Sequence, residues 1–133
     1  MKRLILISLV IIGFASCDSK IENGDLVYLK LREGHNISII NSNGKLQCSD
    51  ENKTPLIFSS KQEGGITLKT EKGLGVVLDN YFLFARKEEP SLFKLDTLED
   101  NNIYLVSEFN RYFDCNGKEV YEVYEPHITI HKY

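Results

Sequence analysis

Apolar and polar positions follow two regimes along the chain. From Leu4 to Ala15 an apolar run is broken only by Ser8 and Gly13. From about residue 25 onward the pattern becomes short alternating stretches: Val27, Leu29 and Leu31, then Ile66 and Leu68, then Ile103 and Leu105. Alternation puts every second side chain on one face, as in strands with one side against a core. No stretch after residue 17 combines helical periodicity with caps. Each alternating stretch is followed by a hairpin signal. Asn43-Gly44-Lys45 separates Ile37–Ile40 from Leu46–Cys48, Asp79-Asn80 separates Val76–Leu78 from Phe82–Phe84, and Asn116-Gly117-Lys118 separates Tyr112-Phe113 from Val120-Tyr121. Tight hairpin turns need positive φ, which Asn and Gly tolerate.

The hairpins recur at a fixed distance. Asn43, Asn80 and Asn116 are 37 and 36 residues apart, and the prolines expected to open a last strand in each unit, Pro55, Pro90 and Pro126, are 35 and 36 apart. Proline at a strand's first residue removes a donor where the ladder has barely begun. The reading is all-β: three units of about four short strands, about twelve strands in all, with Leu29, Leu68 and Leu105 at equivalent core positions. A propeller typically needs at least four blades of about 40–45 residues, so three units are too few. The arrangement resembles a β-trefoil, most closely the fascin-like and growth-factor-like branch. There each unit carries a Gly-Lys-Tyr-Leu-like strand, which reads here as Gly34-His35-Asn36-Ile37, Gly73-Leu74-Gly75-Val76 and Asn110-Arg111-Tyr112-Phe113. The likeness spans residues 25–133, and it implies a scaffold shared by cytokines, lectins, protease inhibitors and actin bundlers.

The first regime reads as an address. Lys2 and Arg3 precede about a dozen apolar residues, enough for a secretory signal but short of the ~20 needed to span a bilayer. Small residues Ala15-Ser16 stand directly before Cys17, and this resembles the lipobox of bacterial lipoproteins, with Phe14 where that family usually has Leu. The resemblance implies cleavage after residue 16, lipid on Cys17, and a bacterial envelope protein held to a membrane. Several acyl chains on one cysteine anchor stably where one chain is marginal. The expected organisation is a signal peptide over 1–16, a tether over 17–24 and a β-trefoil-like domain over 25–133.

Composition adds bounds. The chain has 133 residues with 42% apolar and 26% charged, which fits one globular domain. The net charge is −3 and the pI about 5.6, against a nucleic-acid binder that works by neutralising phosphate. Loss of residues 1–16 removes Lys2 and Arg3 and no acid, moving the net charge from −3 to −5. With Cys17 lipidated, Cys48 and Cys115 remain as an even pair. They form either a disulfide, given an oxidising compartment, or two small buried thiols.

Candidate chemistry is sparse. His127 and His131 are four apart, about 13 Å along a strand, too far to share one zinc, so no metal is expected. The carboxylates Asp50-Glu51, Glu88-Glu89 and Glu99-Asp100 fall in predicted turns. No nucleophile elbow, His-Glu-x-x-His motif or phosphate-cradling glycine loop is present, so neither catalysis nor a cofactor is expected. With no Trp, the chain lacks the Gln-x-Trp signature of ricin-type lectins. Tyrosines crowd the last third, and Tyr112, Tyr121 and Tyr124 are the candidate ligand-binding residues, since Tyr joins an apolar ring to a polar tip. The loops Ser49–Pro55 and Arg86–Pro90 are further candidates. The expected function is a non-catalytic, membrane-tethered binding module for a glycan or a protein. The alternative is an inhibitor or immunity-type protein that blocks an envelope toxin or protease, with the −5 charge steering a basic target.

Overall fold

The computed structural model describes residues 20–32, 34–39, 43–49, 53–62, 64–98, 101–121 and 126–133. The signal segment 1–16 and Cys17 lie outside the described residues. Among the described residues twelve strands run in chain order: β1 (Leu26–Leu31), β2 (Asn36–Ile39), β3 (Leu46–Ser49), β4 (Leu56–Ser60), β5 (Ile66–Thr70), β6 (Gly75–Asp79), β7 (Phe82–Arg86), β8 (Phe93–Thr97), β9 (Ile103–Ser107), β10 (Tyr112–Phe113), β11 (Glu119–Val120) and β12 (Ile128–Lys132). Among the described residues there is no helix.

Six strands close on themselves: β1 pairs with β12, β12 with β9, β9 with β8, β8 with β5, β5 with β4, and β4 with β1. Every pairing is antiparallel, so β1, β5 and β9 point the same way and all finish at one end of this barrel. The hairpins that follow them, β2–β3, β6–β7 and β10–β11, therefore gather at that end. They touch one another through the bridges Lys45 to Phe84 and Phe82 to Lys118. The opposite end carries the β4–β5 and β8–β9 turns, the entry of the chain into β1 and its exit from β12. Closure removes free sheet edges from the barrel.

The interior is the alternating set of the sequence. Leu29, Leu68 and Leu105 are all buried, joined by Val27, Leu56, Phe58, Phe93, Ile128 and Ile130 from the barrel and Ile37, Leu46, Val76, Leu83 and Phe113 from the hairpins. Phe93 and Phe113 meet edge to face, 5.9 Å between ring centres. The same turn recurs after β1, β5 and β9. The Leu31, Thr70 and Ser107 N–H groups donate to the carbonyls of His35, Leu74 and Arg111, and the Gly34, Gly73 and Asn110 N–H groups donate back to Leu31, Thr70 and Ser107. The fourth residue of the turn, Gly34, Gly73 or Asn110, has φ of 115°, 92° and 65° in the three units. That demand is why glycine or asparagine stands there.

Two expectations shift. The tight turn of the second hairpin is Asn80-Tyr81, with φ of 52° and 74°, rather than Asp79-Asn80, because Asp79 is still paired with Phe82. Pro55, Pro90 and Pro126 do not open their strands but stand one, three and two residues before β4, β8 and β12. Lacking an N–H, proline is left outside each ladder.

Candidate functional site

The third hairpin sorts its side chains by alternation. Tyr112 pairs with Val120 and Phe113 with Glu119. Phe113 and Glu119 face inward and are buried, and the residues at the same parity just outside them, Arg111 and Tyr121, meet above, with the guanidinium 4.0 Å from the ring centre. Arg111 Nη1 also lies 4.0 Å from Glu119 Oε1, a long ion pair in which the carboxylate is almost wholly buried. The other oxygen, Glu119 Oε2, is buried with no hydrogen-bond partner among the described residues. Counted from the hairpin turns at Gly44, Tyr81 and Gly117, Glu119 occupies the place held by Leu46 and Leu83 in the other units. A carboxylate thus stands where two units bury leucine, and leaving one of its oxygens unpaired costs about 1–3 kcal/mol. Locally unfavourable choices of this kind concentrate at functional positions.

Beside it lies an open depression of about 410 Å³ lined by Tyr81, Lys118, Glu119, Val120 and Tyr121. Tyr81 is 56% and Tyr121 73% exposed, although most large apolar side chains of the described residues are buried. Tyr81 is carried there by the turn: its backbone adopts positive φ at the position of Gly44 and Gly117, and its carbonyl accepts the Glu119 N–H at 2.7 Å. Phe109, 64% exposed, projects from the turn that leads to Arg111. Cations lie over aromatic rings elsewhere on the hairpins too, Lys45 over Phe82 at 4.2 Å and Arg86 over Phe84 at 4.1 Å.

Tyr112 has different surroundings. Its hydroxyl donates to Asp96 Oδ2 at 2.8 Å, and its ring is stacked on His127 at 4.8 Å and 10° between planes, with Tyr104 edge-on at 5.8 Å. Burial, then the Asp96 carboxylate, pushes its pKa up to about 12. It lines a polar groove with Lys94, Asp96 and Asn110, in which Lys94 Nζ donates to Asn110 Oδ1 at 3.2 Å. Of the three tyrosines read from the sequence, Tyr112 and Tyr121 are separated onto opposite faces of the hairpin, and Tyr124 lies outside the described residues. Cys48 and Cys115 are disulfide-bonded, with Cα atoms 5.1 Å apart, tying β3 to the β10–β11 turn.

The histidines are apart in setting. His127 is buried against Tyr112, whereas His131 stacks on Tyr28 at 5.3 Å. Thr129 Oγ1 donates to the Lys30 carbonyl and lies 2.8 Å from His131 Nε2, so the ring nitrogen is the donor there and the Nε2–H tautomer is assigned. Burial, then Lys30 and Lys53, lowers the His131 pKa. Among the described residues no group of three His, Cys, Asp or Glu could hold a metal ion. Of the carboxylate pairs, Glu88 and Glu89 are exposed, Glu88 3.8 Å from Arg86, while Asp50-Glu51 and Glu99-Asp100 lie outside the described residues. Sequence reasoning missed Glu119 and Tyr81. The available signal was the hairpin register, which sets Glu119 against two leucines and Tyr81 against two glycines.

No family model matches the chain, and no curated protein matches it.

Proposed function

We propose that this chain is a β-trefoil that serves as a non-catalytic binding module of the bacterial envelope, tethered through lipid on Cys17, and that it takes a glycan in the depression between Tyr81 and Tyr121. The observation that carries the reading is the pair of exposed tyrosines facing one open depression at the hairpin end. Sugar rings present C–H faces that pack on aromatic rings, while their hydroxyls need polar partners at the rim. Lys118 lines the same depression and supplies an ammonium there. The long Arg111 side chain lies over Tyr121 and restrains that ring. Such restraint reduces the ordering cost of binding. The closed, repeated barrel supports the trefoil reading, since three equivalent turns and three hairpins gathered at one end follow from a threefold unit.

A second reading has its own observation. Phe109 projects close in sequence to Arg111, and aromatic and arginine side chains are enriched at protein–protein interfaces. An inhibitor or immunity-type role would use that tip.

The test is a glycan array with the full chain produced in a bacterial host, alongside capture of proteins from envelope extract. Saturable glycan binding weakened at least about tenfold, or ~1.4 kcal/mol, by Tyr121→Ala and Tyr81→Ala supports the glycan reading. Absent glycan binding together with a protein partner lost in Phe109→Ala overturns it in favour of the second.

A further inference from the structure

Counted from the hairpin turns at Gly44, Tyr81 and Gly117, the next residue in the three units is Lys45, Phe82 and Lys118. Two antiparallel bridges set these positions against one another, Lys45 with Phe84 and Phe82 with Lys118. Directly opposed residues share a face, and Phe82 and Phe84 stand two apart on β7. The side chains of Lys45, Phe82, Phe84 and Lys118 therefore rise from one surface where the hairpins meet, opposite the side that buries Leu46, Leu83 and Glu119. Two cations flank one phenyl ring there. Lys45 Nζ lies 4.2 Å from the Phe82 ring centre, and Lys118, exposed, also lines the Tyr81–Tyr121 depression.

The carboxylates described on these hairpins are committed elsewhere. Asp79, cross-strand from Phe82, pairs with Arg86 at 2.6 Å, and Glu88 lies 3.8 Å from the same guanidinium. Asp114 Oδ1 accepts the Asn116 and Lys118 backbone N–H groups, and Glu119 is turned inward toward Arg111. Among the described residues no ion pair reaches Lys45 or Lys118. An ammonium has three donors, and a ring face beneath it leaves N–H groups free to point outward. Neighbouring like charges oppose one another until a counter-charge lies between them.

We propose that Lys45 and Lys118 form an oxyanion-binding pair, and that the glycan of the adjoining depression carries an acidic group, a carboxylate or a phosphate, which sits between them. The sugar ring rests on Tyr81 and Tyr121, and its acidic substituent projects over Phe82. The phenyl ring packs on the carbon that bears the substituent while the two ammonium groups take its oxygens. A neutral sugar gains nothing from the lysines. The chain has a net charge of −3 and repels acidic glycans over the rest of its surface, so this local cation pair is what selects for them. The inference rests on the glycan reading of the proposed function and names the class of glycan.

The full chain is applied to an array of neutral, uronic-acid and phosphorylated glycans. The strongest acidic glycan is then titrated beside its own neutral form, the methyl ester of a uronate or the dephosphorylated sugar. Binding is expected to be confined to acidic glycans and to fall as salt is raised. It is expected to weaken at least about tenfold in Lys45→Gln and in Lys118→Gln and to be kept in Lys118→Arg, with circular dichroism checking the fold of each variant. The acidic set that is retained tells carboxylate from phosphate. Neutral and acidic forms bound alike, with binding still lost in Tyr121→Ala, overturn the lysine pair and leave the glycan reading standing. An array with no bound glycan removes both. Binding that needs both lysines yet is unchanged in Tyr81→Ala and Tyr121→Ala upholds the pair and overturns the depression as the seat of the sugar. Inorganic phosphate that competes at the same concentration as the glycan overturns the sugar's part.

Discussion

Cys48 on β3 and Cys115 in the β10–β11 turn are joined twice, by a disulfide and by a hydrogen bond from the Cys48 N–H to the Cys115 carbonyl at 2.7 Å. The link spans 67 residues of sequence and ties the first hairpin to the third. In the chain-entropy account, closing a loop of that length restricts the unfolded state by about 4 kcal/mol. Reduction, or Cys48→Ser with Cys115→Ser, is expected to lower unfolding free energy by up to that amount in urea titrations. An unchanged midpoint would show that the bond constrains little beyond what the hairpin contacts already hold.

Glu119→Leu restores to the third unit the residue type that Leu46 and Leu83 supply in the others. It removes a buried carboxylate oxygen that has no partner among the described residues. The variant is expected to be more stable by about 1–3 kcal/mol in thermal or urea unfolding, and weaker in ligand binding. A loss of stability would mean that the Arg111 contact outweighs the unpaired oxygen.

Gly117 and Gly73 both have positive φ, 69° and 92°. They differ in space: a Cβ on Gly117 would meet the Leu46 carbonyl oxygen, whereas one on Gly73 meets nothing within 4 Å. Gly117→Ala is expected to cost more than the roughly 1–3 kcal/mol typical of a side chain in left-handed backbone alone. Gly73→Asn should cost much less, because Asn110 already occupies the equivalent turn position at φ 65°. Denaturant melts of the two variants check the difference.

His131 has a folded pKa below its ordinary value, because burial and the nearby Lys30 and Lys53 disfavour its charge. The unfolded chain therefore binds the proton more readily. The contribution to stability is complete above the unfolded value near 6.5 and is lost as the pH falls through the lower folded value. His131→Gln is expected to flatten the fall in stability below about pH 6.5. Paired urea melts across that window measure it, and an unaltered slope would place the acid sensitivity elsewhere.

Much of the fold was legible because its demands are local. Positive φ at the hairpin turns is met by Gly44 and Gly117, and at the strand-to-hairpin turns by Gly34, Gly73 and Asn110, residues whose type announces the conformation. Alternation likewise marked Leu29, Leu68 and Leu105 for the interior. The site was less legible. Tyr112 and Tyr121 looked alike in sequence, yet Tyr112 is stacked on His127 and bonded to Asp96, while Tyr121 stands open beneath Arg111. Glu119 carried a signal only when the three hairpins were set in register.

Local pattern was enough for the all-β class, a count of about twelve strands, the Asn-Gly turns at Gly44 and Gly117 and the inward face of β1, β5 and β9, because these depend on neighbouring residues and on φ preferences a few residues long. What covers what was set by long-range packing. Thr129 Oγ1 donates to the Lys30 carbonyl across 99 residues, and β1 is flanked by β4 on one side and by β12, the last strand, on the other. Closure of the barrel selects which aromatic rings are stacked and which are left facing water. No local pattern carries that information, since a strand's alternation names the side a residue points to but not the distant segment waiting there.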